Sequence, residues 1–128
     1  MEAALESAPG ASLIVATERF DAVMLPRDIG MAAMVHLDRK ARMPCLVYDC
    51  GAVALLVAAS TGRHCRVDEA VEVRTGPDGW VALPPSRGVR WDNPPWVDGT
   101  REPCQLVSGA EATDVLAECF SIRWAVPR

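Results

Sequence analysis

Apolar residues in this 128-residue chain come in short runs, the longest being the eight residues Ala52–Ala59. Eight residues cannot span a bilayer, which takes about 20 in a helix. They suit strands, which are usually ~3–10 residues long. Ser12–Thr17 (SLIVAT) and Phe20–Leu25 (FDAVML) read as two strands separated by a turn at Glu18-Arg19. Cys45–Tyr48 and Val53–Ala59 read as a hairpin about Asp49-Cys50-Gly51, ended by Ser60-Thr61-Gly62. Val71–Arg74 and Trp80–Leu83 read as a further strand, turn, strand unit about Thr75-Gly76-Pro77-Asp78-Gly79.

Two stretches carry the helical period instead. After Pro26, with Asp28 as N-cap, residues Ile29, Ala32, Ala33, His36 and Leu37 fall on one face of a helix that Pro44 stops. Ser108 and Glu111 form a capping-box pattern, and Ala112, Val115, Leu116 and Cys119 line the helix that follows. Ser121–Val126 reads as a last edge strand. Between the sheet and this helix stand Pro84, Pro85, Pro94, Pro95 and Pro103, with Trp91 and Trp96 among them. Proline keeps such a stretch out of a central strand, and the tryptophans expect it to be packed down. The pattern predicts an α+β fold, a mostly antiparallel sheet with two main helices, in one domain over 11–128 behind a polar lead-in at 1–10.

Composition narrows the function. Half the residues are apolar and 23% are charged, which excludes wholesale disorder. A net charge of −4 argues against a polyanion binder that works by overall charge. Five cysteines with no C-x-x-C make a disulfide framework the wrong expectation. The opening MEAALESAPGAS holds two glutamates and no basic residue, the wrong polarity for a signal or transit peptide, so a cytoplasmic protein without membrane attachment is expected.

One segment carries a family pattern. Val71-Glu72-Val73-Arg74-Thr75-Gly76-Pro77-Asp78-Gly79-Trp80-Val81-Ala82-Leu83-Pro84-Pro85-Ser86 resembles the V-D-V-R-x-x-x-G-Y-V-V-A-P-P-S signature of bifunctional primase-polymerase (prim-pol) domains. Upstream, Ala11–Thr17 is similar to that family's N-x-G-V-A-T-G strand, and Phe20–Pro26 sits where it has L-V-V-L-D-V-D. Gly51–Val57 resembles the G-G-x-H-x-Y-F strand, and Val89-Arg90-Trp91 follows in the same order. The chain is most similar to short actinobacterial relatives of the family.

The resemblance implies a truncated prim-pol-like core whose chemistry is gone. In the family, two aspartates of L-D-V-D and one of V-D-V-R hold divalent metal, and the histidine of G-G-x-H meets nucleotide phosphate. Those positions align here with Met24, Pro26, Glu72 and Ala54. Glu72 alone keeps a carboxylate, a remnant of the ancestral metal site, and one glutamate cannot supply the several oxygen ligands each hard cation needs. No catalytic residue, metal or cofactor is therefore expected.

Arg63, Arg66, Arg74, Arg87 and Arg90 are the one basic concentration, interleaved with Asp68, Glu69, Glu72 and Asp78. They form either a surface ion-pair lattice or a nucleic-acid groove. Trp91 and Trp96 serve either as packing for their loop or as a platform for a base or partner peptide. Cys45, Cys50, His64 and Cys65 lack paired zinc-ligand spacing. If its segment is extended, His64 also points away from Cys65, against a Cys/His nucleophile. The expected function is a non-catalytic regulatory or scaffolding protein that works through protein–protein contacts, self-association included. The alternative is a nucleic-acid- or nucleotide-binding module that keeps the ancestral groove, with weak nucleic-acid contact.

Overall fold

A computed structural model describes residues 13–96 and 102–125, with side chains through 122. The lead-in 1–10, residues 97–101 of the proline-rich stretch and Val126 lie outside them. The described chain forms β1 (Leu13–Pro26), α1 (Arg27–Asp38), β2 (Cys45–Tyr48), β3 (Ala52–Ala58), β4 (Glu72–Leu83), β5 (Val89–Asn93) and α2 (Thr113–Ala125), with 3₁₀ turns at Gly62–Cys65 and Gly109–Glu111. The strands make one antiparallel sheet in the order β4-β1-β3-β2-β5. An α+β class with an antiparallel sheet and two helices is what the sequence pattern predicts.

Two expected turns are not reversals. Glu18-Arg19 lies within β1, and Thr75–Gly79 lies within β4. The segments read as two strand, turn, strand units are two long bent strands that pair with each other, Leu13 opposite Leu83 and Met24 opposite Glu72. Their ladder is interrupted in the middle. Ala16 faces Trp80 but Thr17 faces Gly76, so Pro77, Asp78 and Gly79 bulge out of β4, and the next pair is Ala22 with Arg74. Gly76 takes a φ of +75° there, a conformation open to glycine. A bulge bends a strand without reversing it.

Three further expectations change. The proline-rich stretch contains β5, an edge strand of five proline-free residues paired with β2. Residues 121–125 continue α2 instead of forming a strand, because Phe120 buries one turn beyond Leu116 and no breaker intervenes before Pro127. In α1 the buried face is Ile29, Gly30, Ala33, Met34 and Leu37, and Ala32 and His36 are exposed. Its N-cap residue is Pro26, with Asp28 inside the first turn. Ser108 accepts from the Ala110 N–H and caps the 3₁₀ turn ahead of α2.

β3 is buried on both faces, which is why it reads as a continuous apolar run. On one face Val23, Leu25, Val53, Leu55 and Val57 meet Ile29, Ala33 and Leu37 of α1 and Leu116 and Phe120 of α2. On the other, Ala22, Met24, Leu46, Ala54 and Leu56 meet Val81 and Leu83. That second cluster exists because the sheet curls. The Tyr48 hydroxyl of β2 donates to the Ala82 carbonyl of β4 at 2.9 Å, although two strands separate them in sheet order. The edge strands β4 and β5 also come near each other.

Candidate functional site

The register of three adjacent strands builds one row of side chains. Met24 of β1 lies opposite Glu72 of β4 on one side and Ala54 of β3 on the other. Directly opposed residues share a sheet face. The row is therefore made of positions that the prim-pol resemblance assigns to metal and phosphate, and Pro26 stands two residues along β1, opposite Ala52. Met24 and Ala54 are buried in the second apolar cluster. Glu72 ends the row at the sheet edge, with Oε2 3.4 Å from Arg74 Nη2. A thioether, a methyl group and one ion-paired carboxylate fit packing, and fall short of a hard-cation site.

Beside Glu72 the sheet edge forms an aromatic rim. The Arg74 guanidinium lies 5.3 Å from the Trp80 ring centroid, within cation–π range, and its Nη1 donates to the Trp80 carbonyl at 3.1 Å. Trp80 is 53% exposed and Ile14 is 52% exposed. Ala16 faces Trp80 and Ile14 faces Ala82, so the two large apolar side chains are diagonal neighbours on one face. Tyr48, bonded to Ala82, has its pKa pushed up to about 12 by burial, against the opposing pull of Arg74.

The other expected site residues are not gathered here. Arg63 and Arg66 sit in and after the 3₁₀ turn past β3, both exposed, and Arg63 Nη1 donates to the Ser60 carbonyl. Arg87 precedes Gly88, whose carbonyl accepts from Asp49 N–H in the turn at the opposite end of β3. Those ends are the length of β3 apart, about 20 Å at ~3.3 Å per residue. Arg90, on the far edge strand, lies 3.5 Å from Asp92. Trp91 and Trp96 make an edge-to-face pair with centroids 5.8 Å apart. Trp91 packs on the second cluster, while Trp96 is 38% exposed.

The thiols are placed by packing. Cys45 and Cys65 are buried, Cys50 is exposed, and all five cysteines are free. Burial pushes the Cys45 thiol up to about 12, with Asp92 adding to it, and the Cys65 thiol up to about 11. Cys65 sits on a 3₁₀ turn, not a strand, and its Sγ lies 3.4 Å from the Gly109 carbonyl while His64 is exposed. Among the described residues no group of three or more His, Cys, Asp or Glu side chains is placed to hold a metal ion.

Sequence reading assigned no role to Asp21, the sole buried charged side chain among the described residues. Its Oδ1 accepts from Ser60 N–H at 3.0 Å and from the Thr75 hydroxyl at 2.6 Å, and its Oδ2 accepts from Gly62 N–H at 2.8 Å. An aspartate inside an apolar strand run is the only sequence signal of such a clasp. Among the described residues no helix is long and apolar enough to cross a membrane. No family model, curated protein or solved structure matches the chain.

Proposed function

We propose that this is a non-catalytic regulatory or scaffolding protein, built on a prim-pol-like core and acting through protein–protein contacts that include self-association. The row Glu72–Met24–Ala54 carries the reading. It sets the positions that the resemblance marks for catalysis side by side and fills them with apolar groups and one ion-paired carboxylate. A polymerase needs several carboxylate oxygens to hold two cations against phosphate charge. An interaction protein needs exposed apolar surface or a strand edge, and the Ile14–Trp80 face, shared by β1 and edge strand β4, supplies exposed apolar groups beside an edge. Five free cysteines suit a reducing compartment, which supports a cytoplasmic setting.

The nucleic-acid alternative draws less support, since Arg63 and Arg87 lie at opposite ends of β3 and Arg74 and Arg90 are each beside a carboxylate, Glu72 and Asp92. The test combines three measurements on the whole chain. Template-dependent nucleotide incorporation with magnesium or manganese is expected to be nil. Light scattering at tens of micromolar should show dimers or larger, and single-stranded DNA should not bind with sub-micromolar affinity at physiological salt. Incorporation that Glu72→Gln abolishes would overturn the reading. So would a monomer that binds single-stranded DNA tightly and loses it on Arg87→Ala plus Arg90→Ala.

A further inference from the structure

Pro77, Asp78 and Gly79 leave the ladder together, and none of the three faces a residue of β1. The excursion is pinned at both ends. The Thr17 hydroxyl donates to the Gly76 carbonyl at 3.0 Å before it, and Arg74 Nη1 donates to the Trp80 carbonyl at 3.1 Å after it. Gly79 is held to glycine by its surroundings. A Cβ there would overlap Thr17 Oγ1 and stand 2.9 Å from the Thr75 nitrogen and 3.0 Å from its carbonyl oxygen.

Asp78 is therefore followed by a residue that cannot shield its own amide nitrogen. Every other described aspartate precedes a residue with a side chain. Asp78 is also exposed, and among the described residues no hydrogen bond or ion pair holds its carboxyl group. Asp21, Asp38 and Asp92 differ in this respect. Asp21 and Asp38 accept backbone N–H groups, and Asp92 lies beside Arg90.

We propose that Asp78-Gly79 is a site of backbone modification, at which the aspartyl linkage rearranges to an isoaspartyl one in the folded protein. The Gly79 nitrogen gives its proton to water and attacks Cγ of the neutral Asp78 carboxyl group. The N–Cγ bond forms, the Cγ–O bond breaks, and the oxygen leaves as water, which closes a five-membered imide. Water then adds to one of the two imide carbonyls. Opening between the nitrogen and Cγ restores aspartate. Opening between the nitrogen and the main-chain carbonyl carbon routes the chain through Cβ and Cγ and leaves the former main-chain carbonyl as a free carboxylate. One water is lost and one is gained, so no co-reactant is required. The product lengthens the main chain by one carbon. Residues 77–79 oppose no strand, so the added atom is taken up between the fixed Thr17–Gly76 and Ala16–Trp80 pairs without breaking either. The inference is independent of the interaction-protein reading.

The test ages the whole folded chain at neutral pH in water enriched in heavy oxygen, then digests it with trypsin in ordinary water. Cleavage after Arg74 and Arg87 releases residues 75–87, in which Asp78 carries the only side-chain carboxyl group. That peptide should gain heavy oxygen with time, ahead of the peptides that carry the other described aspartates. An endoprotease that cuts before aspartate should progressively lose its cut at residue 78. Asp78→Glu, which would need a six-membered ring, should abolish both changes, and Asp78→Asn should reach the same imide with loss of ammonia. Residues 75–87 free of label in the wild type, label that persists in Asp78→Glu, an Asp78→Asn chain that keeps its amide, or label that appears only when the chain is unfolded in urea overturns the proposal.

Discussion

The Oδ1 atom of Asp21 accepts the Thr75 hydroxyl at 2.6 Å, joining β1 to β4 where their backbone ladder is interrupted. Asp21 lies between Thr17 and Ala22, and Thr75 between Arg74 and Gly76, the two sides of one register shift. The same carboxylate takes the N–H groups of Ser60 and Gly62, so one side chain stands in for the backbone pairing that the bulge removes.

Replacing Asp21 should therefore cost more than its place in an apolar strand suggests. Asp21→Ala strands the buried Gly62 N–H, worth about 1–3 kcal/mol, and frees the Ser60 N–H and Thr75 hydroxyl, whose residues are exposed and rehydrate, so a total of about 2–3 kcal/mol is expected. Asp21→Asn keeps the volume and should cost less. Urea unfolding measures both, and a loss under ~1 kcal/mol for alanine would show that the clasp is dispensable.

Gly62 belongs to the same clasp. A Cβ there would stand 2.6 Å from Val73 Cγ1 and 2.9 Å from Asp21 Oδ2. Gly62→Ala is expected to lose about 1–3 kcal/mol by overpacking, read from the same unfolding curves. Little or no loss would mean that the turn shifts freely.

The two tryptophans of the proline-rich stretch should separate. Trp91 packs on the second apolar cluster, so Trp91→Ala should cost about 3 kcal/mol or more. Trp96 is more exposed and contributes mainly its edge-to-face contact, so Trp96→Ala should cost about 0.5–1.5 kcal/mol. Thermal melts of the two variants check the order, and equal losses would contradict it.

Stability should fall in alkali. Burial raises Cys45 from 9.0 to about 12, Cys65 from 9.0 to about 11 and Tyr48 from 10.0 to about 12. Each group then prefers its neutral form in the folded state. The contribution is complete below the ordinary values and is lost as pH rises from about 9 through the folded values near 11–12. Melting temperature measured from pH 7 to pH 11 should drop beyond pH 9, and Cys45→Ala should flatten part of that drop. A flat profile in the wild type would show that these groups are solvated.

The same burial orders thiol reactivity. A disulfide reagent at neutral pH should modify Cys50 first, then Cys104 and Cys119, and reach Cys45 and Cys65 only on unfolding. Rapid modification of Cys65 in the folded protein would contradict its placement against Gly109.

Local chemistry was legible without the fold. The Asp49-Cys50-Gly51 reversal depends on Gly51 at φ +93° and on two short flanking strands, all within a dozen residues. The helical period of Ile29, Ala33 and Leu37, and of Ala112 and Leu116, shows which faces go inward. The proposed correspondence of Met24, Pro26 and Ala54 to polar positions of the resembled family rests on the letters alone.

What needed the tertiary structure was every feature decided by the strand across the way. Thr75–Gly79 has the composition of a hairpin turn, yet β1 lies along both halves of β4, and pairing with it keeps the chain running forward as a bulge. The adjacency of Glu72, Met24 and Ala54 depends on register between segments dozens of residues apart. The separation of Arg63 from Arg87 depends on β3 lying between them, and the capping of Ala82 by Tyr48 depends on the curl of the whole sheet. Periodicity and turn propensity act within a few residues, whereas pairing partner and curvature are set by long-range burial, which no local window of the sequence contains.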